Sequence, residues 1–455
     1  MMRRMQLSEL AGPLGAALRG DDREISGVTT DSRKVQAGDL FVALCGERFD
    51  GHDYLAQAAA AGAAGALVSR EVETSLSLLQ VADTQVALGR LGACNRALYR
   101  GPLVAITGSS GKTTVKNMVR AVLAQRGETL ATEGNFNNEI GVPLTLLRLT
   151  PEHRFAVVEM GAARAGDIAW LCQLGQPTVA LLLNAMWAHL ESFGSAEGIA
   201  AAKGEIFDGL GSDDVAVINA DQSWAGQWRE RAAPARVIDF GLQQPAAIGA
   251  SDIRSHGVAG ISFTAHTPAG DMAVQLGLPG VHNVANALAA TAVGLACGLS
   301  LAEIGAGLAQ AAPVSGRLAV GRSPGGATVV DDCYNANPGS VRAAIDILAG
   351  CDGRRTLVLG AMRELGPESG ALHRDVGDYA RSAGIDQLWG VGEELLPTVE
   401  AFGAGGRHFA DRAAAIAALP GAFGPDDTVL VKGSRGSAME HVLAALLAGA
   451  QGEEG

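Results

Sequence analysis

The sequence predicts an α/β protein with three domains. Apolar strand patterns alternate with helical patterns over most of the chain, which is typical of parallel sheets covered by helices on both faces. These strand patterns end in turns rich in Gly, Asp, Asn or Ser, at the edge where open parallel sheets bind ligands. The 455 residues suffice for about three ordinary domains. We place the domains at residues 1–98, 99–312 and 313–455.

The first two predicted domains differ in their mixture of elements. In the first, Gly38–Leu44 predicts a strand, and the alanine-rich segment Tyr54–Ser69 predicts a helix that ends at a glycine and continues into a strand. In the second, the predicted order is the strand "LVAIT", a helix from Lys112, the strand "FAVVEMG", a helix around Ile168 and the strand "VALLLN".

The third predicted domain begins after the turn "APVSGR" near Pro313 and repeats the alternation. Its predicted elements are the strand "ATVVDD", a helix near Ser340, the strand "TLVLGAM", a helix near Val376, the strands "QLWGVG" and "TVLVKGS", and a last helix. We expect the second and third domains to present binding sites at the carboxyl ends of these strands.

The composition is that of a soluble globular protein, with 48% hydrophobic and 18% charged residues. The net charge of -13 argues against a nucleic-acid binder, although it allows one small anion in a local basic pocket. Six cysteines without a C-x-x-C pair indicate reduced thiols. The N-terminus lacks the apolar core of a signal peptide, and Thr178–Leu190 is too short to span a bilayer. We therefore expect a cytoplasmic protein with no membrane span.

The stretch "VAITGSSGKTTVKNM" predicts a phosphate-binding loop. A strand leads into a turn whose backbone N–H groups can converge on an anion, and the following helix adds the positive end of its dipole. Lys112 supplies a cation for the outer phosphates, and Thr113 or Thr114 supplies a hydroxyl for Mg²⁺. The predicted nucleotide-binding residues of this loop are Gly108, Ser109, Ser110, Gly111, Lys112, Thr113 and Thr114.

The alternative to a phosphate-binding loop is a plain tight turn between a strand and a helix. The predicted helix after the loop is amphipathic, which supports a strand–loop–helix unit. One departure from the ordinary P-loop is Ile106, which stands where the first glycine is usual. The apolar residues on one face of the helix are Val115, Met118, Val119, Val122 and Leu123.

Two later strands of the same predicted sheet end in side chains that can bind Mg²⁺. Glu159 ends "FAVVEMG" and His189 follows "VALLLN", so both fall on the edge that carries Lys112. A carboxylate oxygen is a usual Mg²⁺ ligand and an imidazole nitrogen a less usual one. The alternatives are a solvated strand end for Glu159 and a surface position for His189. Lys203, taken alone, predicts only a solvent-exposed lysine.

Several motifs together resemble the Mur ligases of bacterial cell-wall synthesis, and they cover nearly the whole chain. They are "TGSSGKTT", "TEGNFNNEIGVPLTLL", "VVEMGA", "NAMWAHLESFGS", "AAKGEIF", "VINADQ", "LPGVHNVANALAA" and "VKGSRGSAMEHV". The resemblance implies an ATP- and Mg²⁺-dependent amide ligase with an N-terminal α/β UDP-binding domain, a central P-loop ATPase domain with a parallel sheet, and a C-terminal Rossmann-like domain.

Three motifs favour one activity within the family: "GNFNNEIG", "AHLESFGS" and "DDCYNANPGS". They resemble the members that add D-alanyl-D-alanine to UDP-N-acetylmuramoyl-tripeptide. The D-N-P-R motif of the relatives that add meso-diaminopimelate does not occur in the sequence. We expect a monomer, and the third residue of the tripeptide stays open.

The resemblance also implies catalytic and nucleotide-binding roles. Lys112 and Thr113 hold the phosphates and Mg²⁺, Glu159 and His189 complete the metal site, and Lys203 is carbamylated in several relatives, a modification left open here. Asn286 contacts adenine beside Asn283 and His282, Arg317 contacts phosphate at the domain junction, and Asp332, with Asp331 as the alternative, positions ATP from the third domain. The alternative for Asn286 is a polar residue near a helix N-terminus.

Two further sets are implied to bind the UDP-linked substrate. The first set would bind uracil and the diphosphate, and its alternative is a simple Asp–Arg pair on the surface. The second set consists of asparagines, and its alternative is the capping of a turn. A departure from relatives is Ala361, where they often carry Asp, so no carboxylate is assigned there. The two sets are Thr30, Asp31, Ser32 and Arg33, and Asn135, Asn137 and Asn138.

Three rival functions are less well supported. A folylpolyglutamate synthase would share the P-loop but not the UDP-type N-terminal block. A P-loop kinase or GTPase-like switch would be favoured by an N-K-x-D motif, which the sequence lacks. A non-enzymatic binder of UDP-muramyl peptides would be favoured by loss of Lys112, Glu159 or His189, and all three are present.

Overall fold

The structure is a computed structural model that describes residues 4–46, 49–186 and 193–448. In this part of the chain three α/β units follow one another, each with its own main sheet. Among these residues, no helix combines the length and the apolar character that crossing a bilayer requires. The main sheets fall inside the three predicted ranges, and the domain boundaries themselves stay a prediction.

The N-terminal unit is a small, mostly parallel sheet with helices packed against it. Its strands are β1 (Met5–Gln6), β2 (Ala17–Arg19), β3 (Glu24–Ile25), β4 (Gly27–Thr29), β5 (Asp39–Val42), β6 (Gly65–Val68) and β7 (Ser77–Gln80). Its helices are α1 (Leu7–Leu14), α2 (Leu55–Ala60) and α3 (Thr84–Leu98). The main sheet has the order β2-β7-β6-β5-β4, with β4 to β7 parallel and β2 antiparallel to β7.

The central unit contains the predicted parallel sheet. Its strands are β8 (Leu103–Thr107), β9 (Thr129–Ala131), β10 (Phe155–Glu159), β11 (Val179–Leu182), β12 (Val215–Asn219) and β13 (Arg236–Phe240). Its helices are α4 (Lys112–Ala124), α5 (Gly141–Leu146), α6 (Asp167–Gly175), α7 (Ala196–Gly204), α8 (Ala225–Arg231), α9 (Val281–Ala296) and α10 (Leu301–Ala309). The sheet order is β13-β12-β11-β8-β10-β9 and all neighbours are parallel.

This order positions the phosphate loop. The chain fills one side of β8 with β9 and β10 before it crosses to β11 on the other side, so the loop after β8 lies at the topological switch point. The apolar face predicted for α4 is confirmed, because Val115, Met118, Val119, Val122 and Leu123 are all fully buried.

The central unit also contains a three-stranded antiparallel sheet that the sequence analysis missed. It consists of β14 (Gly249–Ser255), β15 (Ile261–Thr267) and β16 (Gly270–Leu276) in the order β14-β15-β16. One face of β15, formed by Ile261, Phe263 and Ala265, packs into the same core as α4 and α9.

The C-terminal unit repeats the α/β alternation as predicted. Its strands are β17 (Ala319–Arg322), β18 (Thr328–Asp332), β19 (Arg354–Gly360), β20 (Gln387–Val391), β21 (Gly406–Phe409) and β22 (Asp427–Lys432). Its helices are α11 (Pro338–Ala349), α12 (Ser369–Ser382), α13 (Leu396–Phe402), α14 (Arg412–Ala417) and α15 (Glu440–Ala448). The sheet order is β17-β18-β22-β19-β20-β21, in which only β17 is antiparallel to its neighbour.

Helix α3 joins the N-terminal and central units. Its apolar residues share a core with Leu147 of the central unit. The buried Asn95 donates to the carbonyls of Leu146 and Leu149 at the end of α5, at 2.8 and 3.0 Å. Arg96 donates to the carbonyl of Gly175 at 2.7 Å. Helix α3, which lies within the range predicted for the first domain, therefore connects the N-terminal unit to the central unit.

Candidate active site

A cavity of about 550 Å³ lies between the central and C-terminal units. The phosphate loop, the asparagine loop before α5 and the start of α9 supply its central-unit wall. The C-terminal unit closes the opposite side with residues of β18, α11 and β22 and the segments next to them. The predicted site residues that line it are Ser109, Ser110, Gly111, Lys112, Thr113, Thr114, Asn135, Asn137, Glu159, Asn283, Asn286, Arg317 and Asp332.

The conformation of the phosphate loop depends on two glycines and on hydrogen bonds to Asn184. Gly108 and Gly111 have φ angles of +156° and +83°, which only glycine adopts readily. The backbone N–H of Ser109 donates to the carbonyl of Asn184 at 3.0 Å, and that of Ser110 donates to the Asn184 side chain at 2.9 Å. Asn184 follows β11 and therefore fixes the loop from the adjacent strand.

Glu159 is the buried carboxylate of the site, and two side chains hold it. The Thr113 hydroxyl donates to its Oε2 at 2.9 Å, and the Asn137 amide donates to its Oε1 at 2.8 Å. Strand β10 lies directly beside β8, with Glu159 opposite Ile106. A hydroxyl and a carboxylate oxygen in contact form the hard-oxygen donor set that suits Mg²⁺. His189, the third predicted metal ligand, lies outside the described residues.

Two lysines of the chain, Lys112 and Lys432, line this cavity. The sequence has five, and only Lys34 is exposed. Lys112 lines the cavity and donates to the carbonyl of Gly108 at 2.7 Å. Burial lowers its pKa, and the Glu159 charge opposes that effect. Since arginine supplies most surface cations, the buried lysines mark positions where a compact positive charge or an amine is required.

Lys203 does not occupy the solvated position that its sequence alone suggested. It lies on α7 with 3% of its surface exposed, and it is not among the residues that line the cavity. Burial, assisted by the charge of Lys112, lowers the pKa of its amine to about 7. This shift favours the neutral amine, which is the state that reacts with CO₂ to form a carbamate.

The start of α9 carries the predicted adenine contacts. Asn286 donates to the side chain of Asn283 at 2.9 Å, and Asn283 donates to the carbonyl of Pro279 at 2.7 Å. His282 lines the same cavity, and burial together with the Lys432 charge lowers its pKa to about 4, against the opposing charge of Asp346. A neutral imidazole and two amides are suited to a nucleotide base rather than to phosphate.

The C-terminal unit contributes a cation and a carboxylate. Arg317 stacks on the ring of Tyr334, with 4.2 Å from the guanidinium carbon to the ring centroid. Asp332 accepts a hydrogen bond from the buried Lys432 at 2.5 Å. Burial raises the pKa of Asp332 although Lys432 opposes that effect. Asp331, the alternative to Asp332, accepts instead from the backbone N–H of Gly316 at 2.7 Å and does not line the cavity.

The remaining predicted substrate residues lie outside this cavity. In the N-terminal unit, Arg33 pairs with Asp31 through two bonds of 2.8 and 2.9 Å, which is the surface pair that the sequence left as the alternative. Ser32 donates to Gln57 at 2.9 Å, and Thr30 lies next to the pair. Asn138 accepts from the N–H of Gly141 at 2.9 Å and so caps α5. Their roles in substrate binding stay predictions.

The cavity residues that sequence reasoning did not single out include Asn184, Tyr334 and Lys432. Lys432 offered the clearest signal, because it ends the otherwise apolar strand "TVLV", where an unpaired lysine is unusual. The partners of the others come from distant parts of the chain and had no local signature.

A P-loop unit whose nucleotide cavity is completed by a second α/β unit defines a nucleotide-dependent enzyme that works between domains. Comparisons with protein families agree with this class. The Mur ligase middle domain matches residues 106–294, and the Mur ligase glutamate ligase domain matches residues 316–435. The catalytic domain of the Mur ligase family matches residues 24–94. The chain belongs to the Mur ligase family.

Individual relatives match over nearly the whole chain. UDP-N-acetylmuramoyl-tripeptide–D-alanyl-D-alanine ligase of Escherichia coli (strain K12) is 47% identical over 97% of this chain and 98% of the relative. The structure of MurF from Acinetobacter baumannii is similar with a TM-score of 0.94 at 36% identity, covering 98% of this chain and 100% of that one. MurF ligase from Thermotoga maritima in complex with ADP has a TM-score of 0.82 at 29% identity, covering 92% and 97%. The predicted fold class and family are confirmed.

Proposed function

We propose that this protein is an ATP-dependent, ADP-forming ligase that joins D-alanyl-D-alanine to UDP-N-acetylmuramoyl-tripeptide and so makes the pentapeptide precursor of peptidoglycan. The observation that carries the proposal is the cavity shared by two domains, in which the phosphate loop, Glu159 and Arg317 converge. The names of the whole-length relatives support the choice of substrates. The ADP complex of the Thermotoga maritima relative supports the choice of nucleotide.

The proposed chemistry has two steps. The terminal carboxylate of the tripeptide attacks the γ-phosphorus of ATP, giving an acyl phosphate and ADP. The amine of D-alanyl-D-alanine then attacks the acyl carbon, the C–O bond to phosphate breaks, and the amine loses its extra proton to solvent. Activation must come first because an amine cannot expel an oxide ion from a carboxylate.

The residues of the chain contribute by position and charge. The N-terminal end of α4 and the Lys112 ammonium would bind the phosphates, and Arg317 brings a second cation from the C-terminal unit. These cations offset the repulsion between two anions, the carboxylate and the triphosphate. Asn283 and Asn286 hold the adenine, and Asp332 positions the nucleotide from the other side.

Thr113 and Glu159 would hold Mg²⁺, together with His189. Their oxygen donor set fits the ion, as their mutual hydrogen bond brings hydroxyl and carboxylate to 2.9 Å. When bound, Mg²⁺ neutralises phosphate charge. Thr114 lies in the same loop and is the alternative hydroxyl.

A second cavity of about 150 Å³ adjoins the first and shares Ser109, Asn335 and Asn337 with it. We assign this small cavity to the incoming dipeptide. Two arginines in its wall, Arg363 and Arg435, suit the dipeptide carboxylate. The UDP moiety is assigned to Thr30, Asp31, Ser32 and Arg33, and the peptide to Asn135, Asn137 and Asn138.

The protein is expected to act as a cytoplasmic monomer. Both walls of the nucleotide cavity come from one chain, so no second copy is needed to complete it. All six cysteines are free thiols, which suits a reducing compartment.

The test is ATP-dependent phosphate release by the purified protein with Mg²⁺, with one substrate omitted at a time. We expect release only when UDP-N-acetylmuramoyl-tripeptide and D-alanyl-D-alanine are both present, with the pentapeptide product identified by mass. Release without either substrate, or a lack of release with both, would contradict the proposal.

A further inference from the structure

The wall of the small cavity includes a loop in a constrained conformation. This loop, residues 361–365, follows β19 and supplies Arg363, Glu364 and Leu365 to the cavity. Glu364 has a φ angle of +64°, in the left-handed region that residues other than glycine adopt only when their surroundings enforce it. The contacts that hold the loop therefore decide where its cavity residues lie.

Two sets of contacts fix the peptide group between Ala361 and Met362, one through its carbonyl and one through its N–H. The carbonyl of Ala361 accepts from the backbone N–H of Ser434 at 3.1 Å and from the hydroxyl of Ser437 at 2.9 Å. On the next residue, the backbone N–H of Met362 donates to Nε2 of His373 at 3.1 Å. His373 belongs to α12 and is 1% exposed.

The hydrogen bonds of His373 define its protonation state. Because Nε2 accepts from Met362, the ring proton is on Nδ1, which donates to the carbonyl of Ser369 at 2.8 Å. A second ring proton would point at the N–H of Met362. Burial lowers the pKa of His373, which agrees with a neutral ring.

We propose that His373 is a positioning residue for the amine substrate: its neutral ring fixes the 361–365 loop and thereby the Arg363 side of the small cavity. The imidazole touches neither the cavity nor the nucleotide wall, so it acts through Met362. The inference rests on the proposed function, in that it takes the small cavity as the dipeptide site.

The test compares His373→Asn with His373→Gln in steady-state assays. The Asn amide matches Nδ1 and can reach Ser369 but not Met362, whereas the longer Gln amide reaches Met362. We expect H373N to raise the KM for D-alanyl-D-alanine about 3- to 10-fold, as for one lost hydrogen bond, with the KM for ATP unchanged. H373Q should restore the dipeptide KM to within about twofold of wild type.

Thr398→Val is the matched control. Thr398 donates to the carbonyl of His373 at 2.9 Å, so this variant weakens the packing of α12 without touching the loop. We expect it to lower thermal stability and leave the dipeptide KM unchanged. If H373N does not fold, Ser437→Ala decides, because it removes one of the two hydrogen bonds to the carbonyl of the same peptide group and should raise the same KM.

Different results would overturn the role of His373 and the proposed function on which it rests. An H373N or S437A variant with unchanged KM values, or with ATP and dipeptide KM raised alike, would overturn the role of His373. A wild-type protein that releases no phosphate in response to the dipeptide would overturn the proposed function itself, and with it the inference.

Discussion

Lys112 carries the positive charge nearest to the proposed phosphate position. Its ammonium donates to the loop carbonyl of Gly108, and the charge of Glu159 opposes the lowering of its pKa by burial. A neutral side chain at position 112 would leave the triphosphate and the attacking carboxylate without this compensation.

We therefore expect Lys112→Ala to lower kcat by about 10²- to 10³-fold, the usual loss for one charge-stabilising donor. The measurement is substrate-dependent phosphate release, with Lys34→Ala as the control because Lys34 is exposed in the N-terminal unit. Activity of K112A within a few-fold of wild type would contradict the role given to Lys112.

His282 makes the stability of the protein depend on pH. The ring lies against Gly280, and burial lowers its pKa to about 4 from the ordinary value of 6.5. Between these values the unfolded chain binds more protons at this residue than the folded chain does. The contribution of His282 to stability is therefore complete above about pH 6.5 and is lost as the pH falls toward 4.

The variant His282→Gln should lose the pH-dependent contribution of His282 to stability. We expect its free energy of unfolding to fall less steeply than that of wild type as the pH is lowered from 6.5 to 4. Urea unfolding at a series of pH values measures the difference, and His266→Gln, at an exposed position, is the control. Parallel pH profiles for wild type and H282Q would be evidence against a neutral His282 in the folded protein.

At the residue scale, the sequence predicted those site residues that belong to a local sequence pattern. The phosphate loop and Glu159 were found because the motif and the strand ends are local patterns. The Asp332–Lys432 pair was not found, since its members are 100 residues apart and meet only through the pairing of β18 with β22. For Asn138 the sequence could not assign a role, because an asparagine that caps a helix and one that binds a ligand look alike in sequence.

At the element scale, α3 is the feature with the largest structural consequence. It anchors the end of α5, and α5 follows directly on the loop that holds Asn137 against Glu159. The N-terminal unit is thus connected to Glu159 through one helix and one loop.

We expect Asn95→Ala to destabilise the protein by about 1–3 kcal/mol, because the buried carbonyls of Leu146 and Leu149 each lose a hydrogen bond from the amide. Denaturant unfolding measures the change. Gln85→Ala is the control, since Gln85 is exposed on the same helix. Equal stability of N95A and wild type would show that α3 does not anchor α5 in this way.

The elements themselves were predictable to different degrees. Buried parallel strands such as β8 and β10 are short apolar runs between turns, and these were recognised. The sheet β14–β16 was missed, because its strands are exposed on one face and mix polar with apolar residues. Helix α3 was missed because its alanines and glycines give only a weak amphipathic pattern.

At the scale of the whole molecule, the two walls of the nucleotide cavity belong to different units. Lys112 and Glu159 come from the central unit, while Arg317, Asp332 and Lys432 come from the C-terminal unit or the segment that leads into it. Bringing the two units together assembles the charges that the reaction needs and places the small cavity beside them. The fold class and the family could be predicted from sequence, whereas this shared construction required the structure.

The path of one oxygen atom tests the acyl phosphate step most directly. UDP-N-acetylmuramoyl-tripeptide labelled with ¹⁸O in its terminal carboxylate would be turned over with ATP and D-alanyl-D-alanine, and the released phosphate analysed by mass. If the carboxylate attacks the γ-phosphorus, one labelled oxygen leaves with phosphate, so we predict ¹⁸O in the phosphate in proportion to product formed. Product formation with unlabelled phosphate would contradict an acyl phosphate and the mechanism built on it.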